Sequence, residues 1–347
     1  MKTPIFSALD FVMVRQGDDA GKAIAQSVEL ARYLEKLGYH RFWVPEHHGV
    51  ESFASANPAV LIGHIAGATK SIRVGAGGVM LFNHPPLVIA EQFGTLASIY
   101  PGRIDLGVGR AVGSATPKEP IYKEALRRDP QLSGDSFPRH VAELQLYFGA
   151  EEPDQQIRAY PGQNTNVPIY LLSSSGYNAQ LAGELGLPLA FATHIKPDNL
   201  IPSVKLYREH FRPSKFLSEP YVMVTALALA ADTDEEAHRS FTSVEQLFLA
   251  SIRNGPPKLP PKVDSMDGLW SEEEKQAVGQ RMKSAILGDP ATVRRSLQAL
   301  LQETQADELM LWSTAYDPAE RFRSYEILAE AVASLQDQSE VDAALVS

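Results

Sequence analysis

The chain has 347 residues, a formal net charge of −10 and no cysteine. Its acidic balance and the lack of a Lys/Arg-rich run argue against a nucleic-acid partner, and without cysteine neither disulfides nor thiolate chemistry can contribute. Residues 1–10 show no signal-peptide pattern and no segment is apolar over the thickness of a bilayer, so we expect a cytoplasmic protein with no membrane partner.

Strands and helices alternate regularly over the first third of the chain. Apolar residues recur at helical spacing between Gly21 and Leu37, and Gly38 suits the end of that helix. Asn57 and Pro58 suit the cap and the first turn of the next helix. The predicted elements are strands at 5–11, 40–46, 72–81 and 104–110, and helices at 21–37, 57–69 and 86–99.

The rest of the chain continues this alternation around two insertions. We expect the polar residues 111–134 to be an excursion and the proline-containing residues 254–270 to be a mobile loop, both over the active face. Eight strands separated by helices predict an α/β fold, a (β/α)8 TIM-type barrel with insertions, as a single domain over residues 1–347. The remaining predicted strands are 168–176, 187–193, 221–231 and 308–314, and the remaining helices 135–149, 177–185, 197–211, 234–252, 272–280, 290–303 and 317–335.

Titratable side chains follow the second predicted strand directly. Glu46, His47 and His48 come where that buried strand ends, and the carboxyl ends of barrel strands are where such folds place their chemistry. Glu46 and His47 are therefore candidate catalytic residues. The alternative is that they pair with neighbours and only close the mouth of the barrel.

A phosphate site is predicted after the fifth strand. Ser174, Ser175, Gly176 and Tyr177 are small or polar and open a helix, whose first N–H groups and dipole suit an anion. Arg110 ends the fourth strand and suits a bidentate contact with the same phosphate. The alternatives are a capping turn without ligand, and for Arg110 a structural pair with Asp105 or Glu91.

The third strand carries three glycines. Gly75, Gly77 and Gly78 weaken a strand unless a backbone or a flat ligand must approach closely, and an aromatic cofactor across the barrel mouth would use that clearance.

Histidines near the strand ends raise the question of a metal. The first strand supplies no His-x-His pair, and the adjacent His47 and His48 are expected to point in different directions, so no metal site is predicted. The further residues weighed for this role are Glu46, His84 and His194.

The combination of these motifs resembles the bacterial luciferase-like family of flavin-dependent monooxygenases, in its single-chain branch. The resemblance spans nearly the whole chain in the same order. Pro45, Gly49 and the residues after Arg110 depart from the usual family pattern, which puts the substrate in doubt. The motifs that carry the resemblance are 44–48 (VPEHH), 74–81 (VGAGGVML), 90–96 (AEQFGTL), 101–110 (PGRIDLGVGR), 174–177 (SSGY) and 306–310 (ADELM).

The resemblance implies a TIM-type barrel that binds FMN, which arrives reduced from a separate flavin reductase and reacts with O2. His47 would match the family's catalytic histidine, with Glu46 beside it near the flavin ring. A cis peptide that does not involve proline would lie at or beside Ala76-Gly77. The phosphate would be held by Arg110, Ser174, Ser175, Gly176 and Tyr177.

Three hypotheses follow. The leading one is a two-component FMN-dependent monooxygenase acting on a small apolar or aromatic molecule, in a pocket lined by Phe11, Phe53, Phe82 and Phe191. The others are a deazaflavin-dependent hydride-transfer enzyme and a non-catalytic flavin-binding homologue.

Two expectations accompany the leading hypothesis. His47 would transfer protons with a pKa near neutrality. The helices at 57–69 and 86–99, rich in small and apolar residues, would form a homodimer.

Overall fold

A computed structural model describes residues 5–111, 119–255 and 258–346, and the side chains as far as residue 335. The strands are β1 (Ile5–Leu9), β2 (Arg41–Val44), β3 (Arg73–Met80), β4 (Ile104–Gly109), β5 (Ile169–Ser173), β6 (Leu189–Ala192), β7 (Val222–Ala230), β8 (Ile286–Gly288) and β9 (Glu308–Trp312). The helices are α1 (Ala20–Lys36), α2 (Pro58–Ala68), α3 (Pro86–Ile99), α4 (Glu119–Ala125), α5 (Phe137–Phe148), α6 (Gly176–Glu184), α7 (Leu200–His210), α8 (Asp234–Ile252), α9 (Glu272–Met282), α10 (Pro290–Thr304) and α11 (Pro318–Val346).

Eight of the strands pair in parallel and close into a barrel. β1 to β7 neighbour one another in chain order, and β9 closes the barrel between β7 and β1. In the closing pairs, Glu308 of β9 lies opposite both Ile5 and Met223. The predicted (β/α)8 barrel is therefore confirmed.

The short strand β8 was not predicted. It pairs with Ala228 to Ala230 beyond the barrel wall and precedes α10. Its three residues are too few to show a periodic pattern.

Side-chain caps mark several of the helix starts. Asp19, Asn57, Thr233 and Asp289 each accept a hydrogen bond from a backbone N–H of the first turn of their helix. Within the described residues, none of the helices combines the length and apolar content that crossing a bilayer requires.

The amino-terminal end of the barrel interior is closed by a buried ionic network. Arg41 on β2 pairs with Asp105 of β4 and with Glu308 of β9, each at 2.8 Å, and Arg73 also pairs with Asp105. Burial opposes charge on Arg41, but the two carboxylates outweigh it and raise the pKa of the guanidinium. This network fills the amino-terminal end of the barrel interior, so a site in the barrel has to lie at the opposite end, where the strands stop.

The two insertions lie outside the regular alternation. Within 111–134, residues 119–125 form α4, while residues 112–118 lie outside the described part, as do 256–257 of the second insertion. From Lys258 onward the second insertion is packed: Leu259 is buried and exchanges backbone hydrogen bonds with the segment after β1, and Met266 is also buried. Residues 258–270 therefore form a loop that is packed at Leu259 and Met266, and its mobility stays a prediction.

Candidate active site

A cavity of about 250 Å³ opens at the carboxyl ends of the barrel strands. Its walls are mostly apolar, and its polar side chains follow β2 and β6, with Thr225 added from within β7. Parallel strands present the residues that follow them at one face, so positions distant in sequence meet there. The lining residues are Leu9, Phe11, Trp43, Pro45, Glu46, His47, Gly77, Met80, Ala111, Leu172, Ala190, Ala192, His194, Ile195, Thr225 and Met310.

Glu46 is the most heavily hydrogen-bonded side chain of this wall. Its Oε1 accepts from His48 Nε2 at 2.7 Å, His84 Nε2 at 2.9 Å and Asn83 Nδ2 at 3.1 Å, and its Oε2 accepts from Met80 N at 2.9 Å. Burial opposes its charge, but these donors prevail and lower the pKa of Glu46 to about 2. Because an ionised carboxylate only accepts, both imidazoles carry their proton on Nε2.

Glu46 thus joins the end of β2 to the turn after β3 rather than orienting His47. These contacts match the alternative stated for Glu46 above, in which it pairs with neighbouring side chains. Its effect on His47 is through its charge alone, which favours the protonated imidazole.

His47 has a different environment. Its ring packs 4.7 Å from the Phe53 ring and 5.5 Å from the Phe11 ring, and its buried Nδ1 has no hydrogen-bond partner among the described residues. Loss of hydration lowers the pKa of His47 to about 4. The expectation of a group that titrates near neutrality is therefore wrong for the described state, because burial outweighs the attraction of Glu46.

A second imidazole, His194, lies in the same wall. It follows β6, packs 5.8 Å from Phe11 and 5.6 Å from Trp312, and its Nδ1 is likewise buried without a partner among the described residues. Burial lowers the pKa of His194 to about 4, with a further contribution from His47. Its place at the end of a predicted strand is the signal in the sequence for a site residue.

The predicted phosphate residues come together at the start of α6. The Arg110 guanidinium carbon lies 4.4 Å from the Tyr177 ring centroid, and the Tyr177 hydroxyl donates to Gly134 O at 3.2 Å. Ser175 occupies the cap position but makes no side-chain capping bond. The first N–H groups of α6 therefore lack the partner that most helix caps provide, as an anion site requires.

Two details of this turn differ from the expectation. Ser173 shapes it, since its hydroxyl donates to Ser175 O at 2.5 Å and accepts from Ser175 N at 3.1 Å. Ser174 is fixed through its carbonyl, which accepts from Asn199 Nδ2 at 3.0 Å. Arg110 does not pair with Asp105, which forms ion pairs with Arg41 and Arg73 at the other end of the barrel.

The glycines of β3 allow close packing within the chain, and clearance for a cofactor stays a prediction. A Cβ on Gly77 would lie 2.9 Å from Leu9 Cδ1, and one on Gly78 would lie 2.6 Å from Gly107 O. The peptide between Gly77 and Gly78 is cis, beside the expected Ala76-Gly77 position. Gly77 lines the cavity, whereas Ala76 is fully buried.

The four phenylalanines expected in the pocket separate into two groups. Phe11 lines the cavity and Phe53 packs on His47, but Phe191 is fully buried in the core. Phe82 is buried against Phe137, with ring centroids 5.8 Å apart.

Among the described residues, Glu46, His48 and His84 form a group of potential metal ligands within 4.8 Å of one another. Oε1 of Glu46 already accepts from both imidazoles, so the group is accounted for by hydrogen bonds. The absence of a metal remains a prediction.

The fold and this cavity define the chain as a TIM-barrel protein with its site at the carboxyl ends of the strands. The profile of the luciferase-like monooxygenase family matches residues 6–328, and the chain belongs to that family. It is accordingly a flavin-dependent oxidoreductase.

Individual relatives agree with this assignment. A protein from Escherichia coli (strain K12) named luciferase-like monooxygenase is 47% identical over 326 residues, covering 94% of this chain and 96% of its own length. The crystal structure of apo-MsnO8 is 33% identical, with a TM-score of 0.83 over 95% of this chain and 98% of its own.

A third comparison extends the fold to a flavin complex. The oxygenating constituent of 3,6-diketocamphane monooxygenase from the CAM plasmid of Pseudomonas putida, in complex with FMN, has a TM-score of 0.70 and 19% identity. The match covers 95% of this chain and 98% of that one. At this identity the likeness concerns the fold alone.

Proposed function

We propose that the chain is the oxygenating component of a two-component FMN-dependent monooxygenase. Its co-substrates would be O2 and a small apolar or aromatic organic molecule, and a separate reductase would supply reduced FMN. The observation that carries this proposal is the position of Arg110 and the start of α6 at the same end of the barrel as an apolar cavity containing His47 and Gly77.

The phosphate end fits the cofactor in both charge and hydrogen bonding. Arg110 supplies a fixed positive charge, and the first turn of α6 supplies N–H donors and the positive end of the helix dipole. Ser175 and Gly176 position these donors, while Tyr177 holds the guanidinium by a cation–π contact. These charged and polar groups lie outside the cavity wall, which is mostly apolar.

The cavity end fits the flat ring of a flavin. Gly77 lines the cavity with its backbone alone, because Leu9 and Trp43 already occupy the space that a Cβ would need. When bound, reduced FMN supplies the two electrons needed to activate O2 for insertion of one oxygen atom into the substrate and release of the other as water. His47 would hold or pass a proton as a neutral imidazole, and the apolar wall would limit access of water.

A homodimer through α2 and α3 is part of this proposal. Val60 is 67% exposed on α2, and Ile99 is 58% exposed on α3. Two glycines of these helices pack within the chain instead: Gly63 faces Leu96 and Gly94 faces Gly162. The exposed apolar side chains, rather than the glycines, support the dimer.

The cofactor assignment is tested by titrating the purified protein with FMN and with deazaflavin while recording the absorbance spectrum. Arg110→Ala is expected to weaken FMN binding by about ten- to a hundredfold, since a charge-assisted contact is worth roughly 1.5–3 kcal/mol. Arg139→Ala, which removes an exposed arginine on α5, is the matched control. Equal FMN affinity in both variants, or tighter binding of deazaflavin than of FMN, would contradict the proposal.

The oxygenase assignment is tested by supplying reduced FMN and O2 with a panel of small ketones, thioethers and aromatic compounds. Oxygenated product and hydrogen peroxide are counted per flavin oxidised. A compound that diverts flavin oxidation from peroxide to product supports the proposal. Peroxide alone with every compound, together with hydride transfer from reduced deazaflavin, would favour the hydride-transfer enzyme.

A further inference from the structure

The proposed chemistry leaves His194 without a role. Its imidazole makes no hydrogen bond to any described residue, although Nδ1 is buried. A buried polar atom without a partner costs about 1–3 kcal/mol, so such atoms in a binding cavity point to a group that the ligand brings. The cavity contains a second atom of this kind, Nδ1 of His47.

The two imidazoles flank the ring of Phe11. The His47 ring lies 5.5 Å from it and the His194 ring 5.8 Å, the latter edge to face at 86°. Both residues line the cavity, and a charge on His47 disfavours protonation of His194. Both imidazoles therefore belong to the part of the cavity wall that contains Phe11.

The cavity suits an uncharged ligand. Glu46 is the one lining residue with a fixed charge among those described, and its oxygens already accept four hydrogen bonds. Burial keeps both imidazoles neutral at pH 7, since their pKa values are lowered to about 4. A carboxylate or ammonium group on the substrate would be desolvated without a counter-charge, at a cost of several kcal/mol.

We propose that His194, together with His47, binds the carbonyl oxygen of a neutral substrate and so selects ketones, aldehydes or esters over hydrocarbons of the same shape. This inference rests on the proposed function and names the substrate class of the same site. Each neutral imidazole has one N–H to donate, and a carbonyl oxygen has two lone pairs to receive two donors. Trp312 adds a donor nearby, because its buried Nε1 also lacks a partner among the described residues and its ring lies 5.6 Å from that of His194.

His194 is a specificity-determining residue in this proposal. The rest of the wall near it is apolar and contacts the hydrocarbon part of the substrate through Ala192, Ile195 and Met310. Such a wall discriminates poorly between a carbonyl and a methylene group, whereas a donor left unpaired by the wrong ligand discriminates strongly.

The test compares two probes that differ in one atom, cyclohexanone and methylenecyclohexane. Their dissociation constants are measured by ligand-observed NMR with the FMN-loaded protein, in wild type, in His194→Leu and in His238→Leu. His238 is exposed on α8 and lies outside the cavity wall, so His238→Leu is the matched control. FMN binding is measured first in each variant, so a failure of the cofactor assignment is seen separately.

In His194→Leu, cyclohexanone is expected to bind about tenfold more weakly, the equivalent of one lost hydrogen bond. Methylenecyclohexane should bind as in wild type or more tightly, because leucine keeps the wall apolar. A change of the same factor for both probes would overturn the proposal, since it would show a loss of shape rather than of a donor.

A second measurement needs no variant. In protein labelled with ¹⁵N in its imidazoles, cyclohexanone should shift the His194 ring nitrogen signals, and methylenecyclohexane should leave them in place. Identical spectra with the two probes would overturn the assignment of His194 as the donor.

Discussion

Replacement of Glu46 by glutamine tests whether this carboxylate anchors the wall of the active site. The side chain is fully buried, and its four hydrogen bonds come from His48, His84, Asn83 and Met80 N. Glutamine has nearly the same shape but keeps a single acceptor oxygen. Its amide NH2 must face either the Met80 N–H or the three side-chain donors.

The expected loss of stability is worked out for the less costly orientation of the glutamine amide, in which its NH2 faces the Met80 N–H. One buried backbone N–H loses its acceptor, at about 1–3 kcal/mol, and the three remaining bonds lose the strengthening that a charged acceptor gives. Relief of the desolvation of the carboxylate returns part of this loss. We expect a net destabilisation of roughly 2–4 kcal/mol in the free energy of unfolding.

The assay is urea unfolding at pH 7, with Glu303→Gln as the control because Glu303 is exposed at the end of α10. The control should stay within about 0.5 kcal/mol of wild type. The pH dependence gives a second readout. The pKa of Glu46 is lowered from 4.5 to about 2, so its stabilisation is complete above pH 4.5 and is lost as the pH falls towards 2. Glu46→Gln lacks that slope, and a variant as stable as the control would refute the anchoring role.

Three further predictions rest on separate parts of the molecule. Burial lowers the pKa values of His47 and His194 from 6.5 to about 4, so both groups contribute stability above pH 6.5 that is lost as the pH falls towards 4. An NMR titration of either imidazole with a midpoint near 6.5 would contradict this argument from burial. Asp105→Asn should destabilise the fold by about 3–5 kcal/mol in urea unfolding, because it leaves Arg41 short of a counter-charge, and a loss under 1 kcal/mol would show that Glu308 suffices. Val60→Glu should convert the proposed dimer to a monomer in light scattering at micromolar concentration, whereas Val60→Thr should not; a wild-type monomer would remove the proposal.

The fold could be predicted from the sequence because its signals are local. Buried parallel strands appear as short apolar runs, and helix starts are marked by capping residues such as Asn57 and Asp289. The packing of the second insertion could not be predicted, also because the signals are local. Its prolines indicate a loop, but the burial of Leu259 depends on the segment after β1, which is more than 200 residues away in sequence and not visible in a local pattern.

The sequence could predict which strand ends carry the site residues, but not which side chains contact one another there. Arg110, Gly176 and Tyr177 were placed together because each follows or opens an element at the same face. The convergence of His48 and His84 on Glu46 depends on the turn at Leu81–Asn83, which brings the end of β3 back over β2. The unpaired Nδ1 of His194 likewise depends on the lack of a hydrogen-bonding group on the neighbouring strands among the described residues, and a single sequence does not show which strands are neighbours.

The two ends of the barrel handle charge in opposite ways, and this difference bears on the chemistry. At the amino-terminal end, Arg41 is paired with two carboxylates, Asp105 and Glu308. At the carboxyl end, Glu46 is ionised but its oxygens are occupied, while burial leaves His47 and His194 neutral. A neutral imidazole can pass a proton without holding a lasting charge in an apolar cavity, whereas an imidazolium there would attract water and anions. In this site an imidazole would therefore carry a proton only while it passes that proton to or from a reacting atom. The fixed positive charge would remain at Arg110, outside the cavity wall.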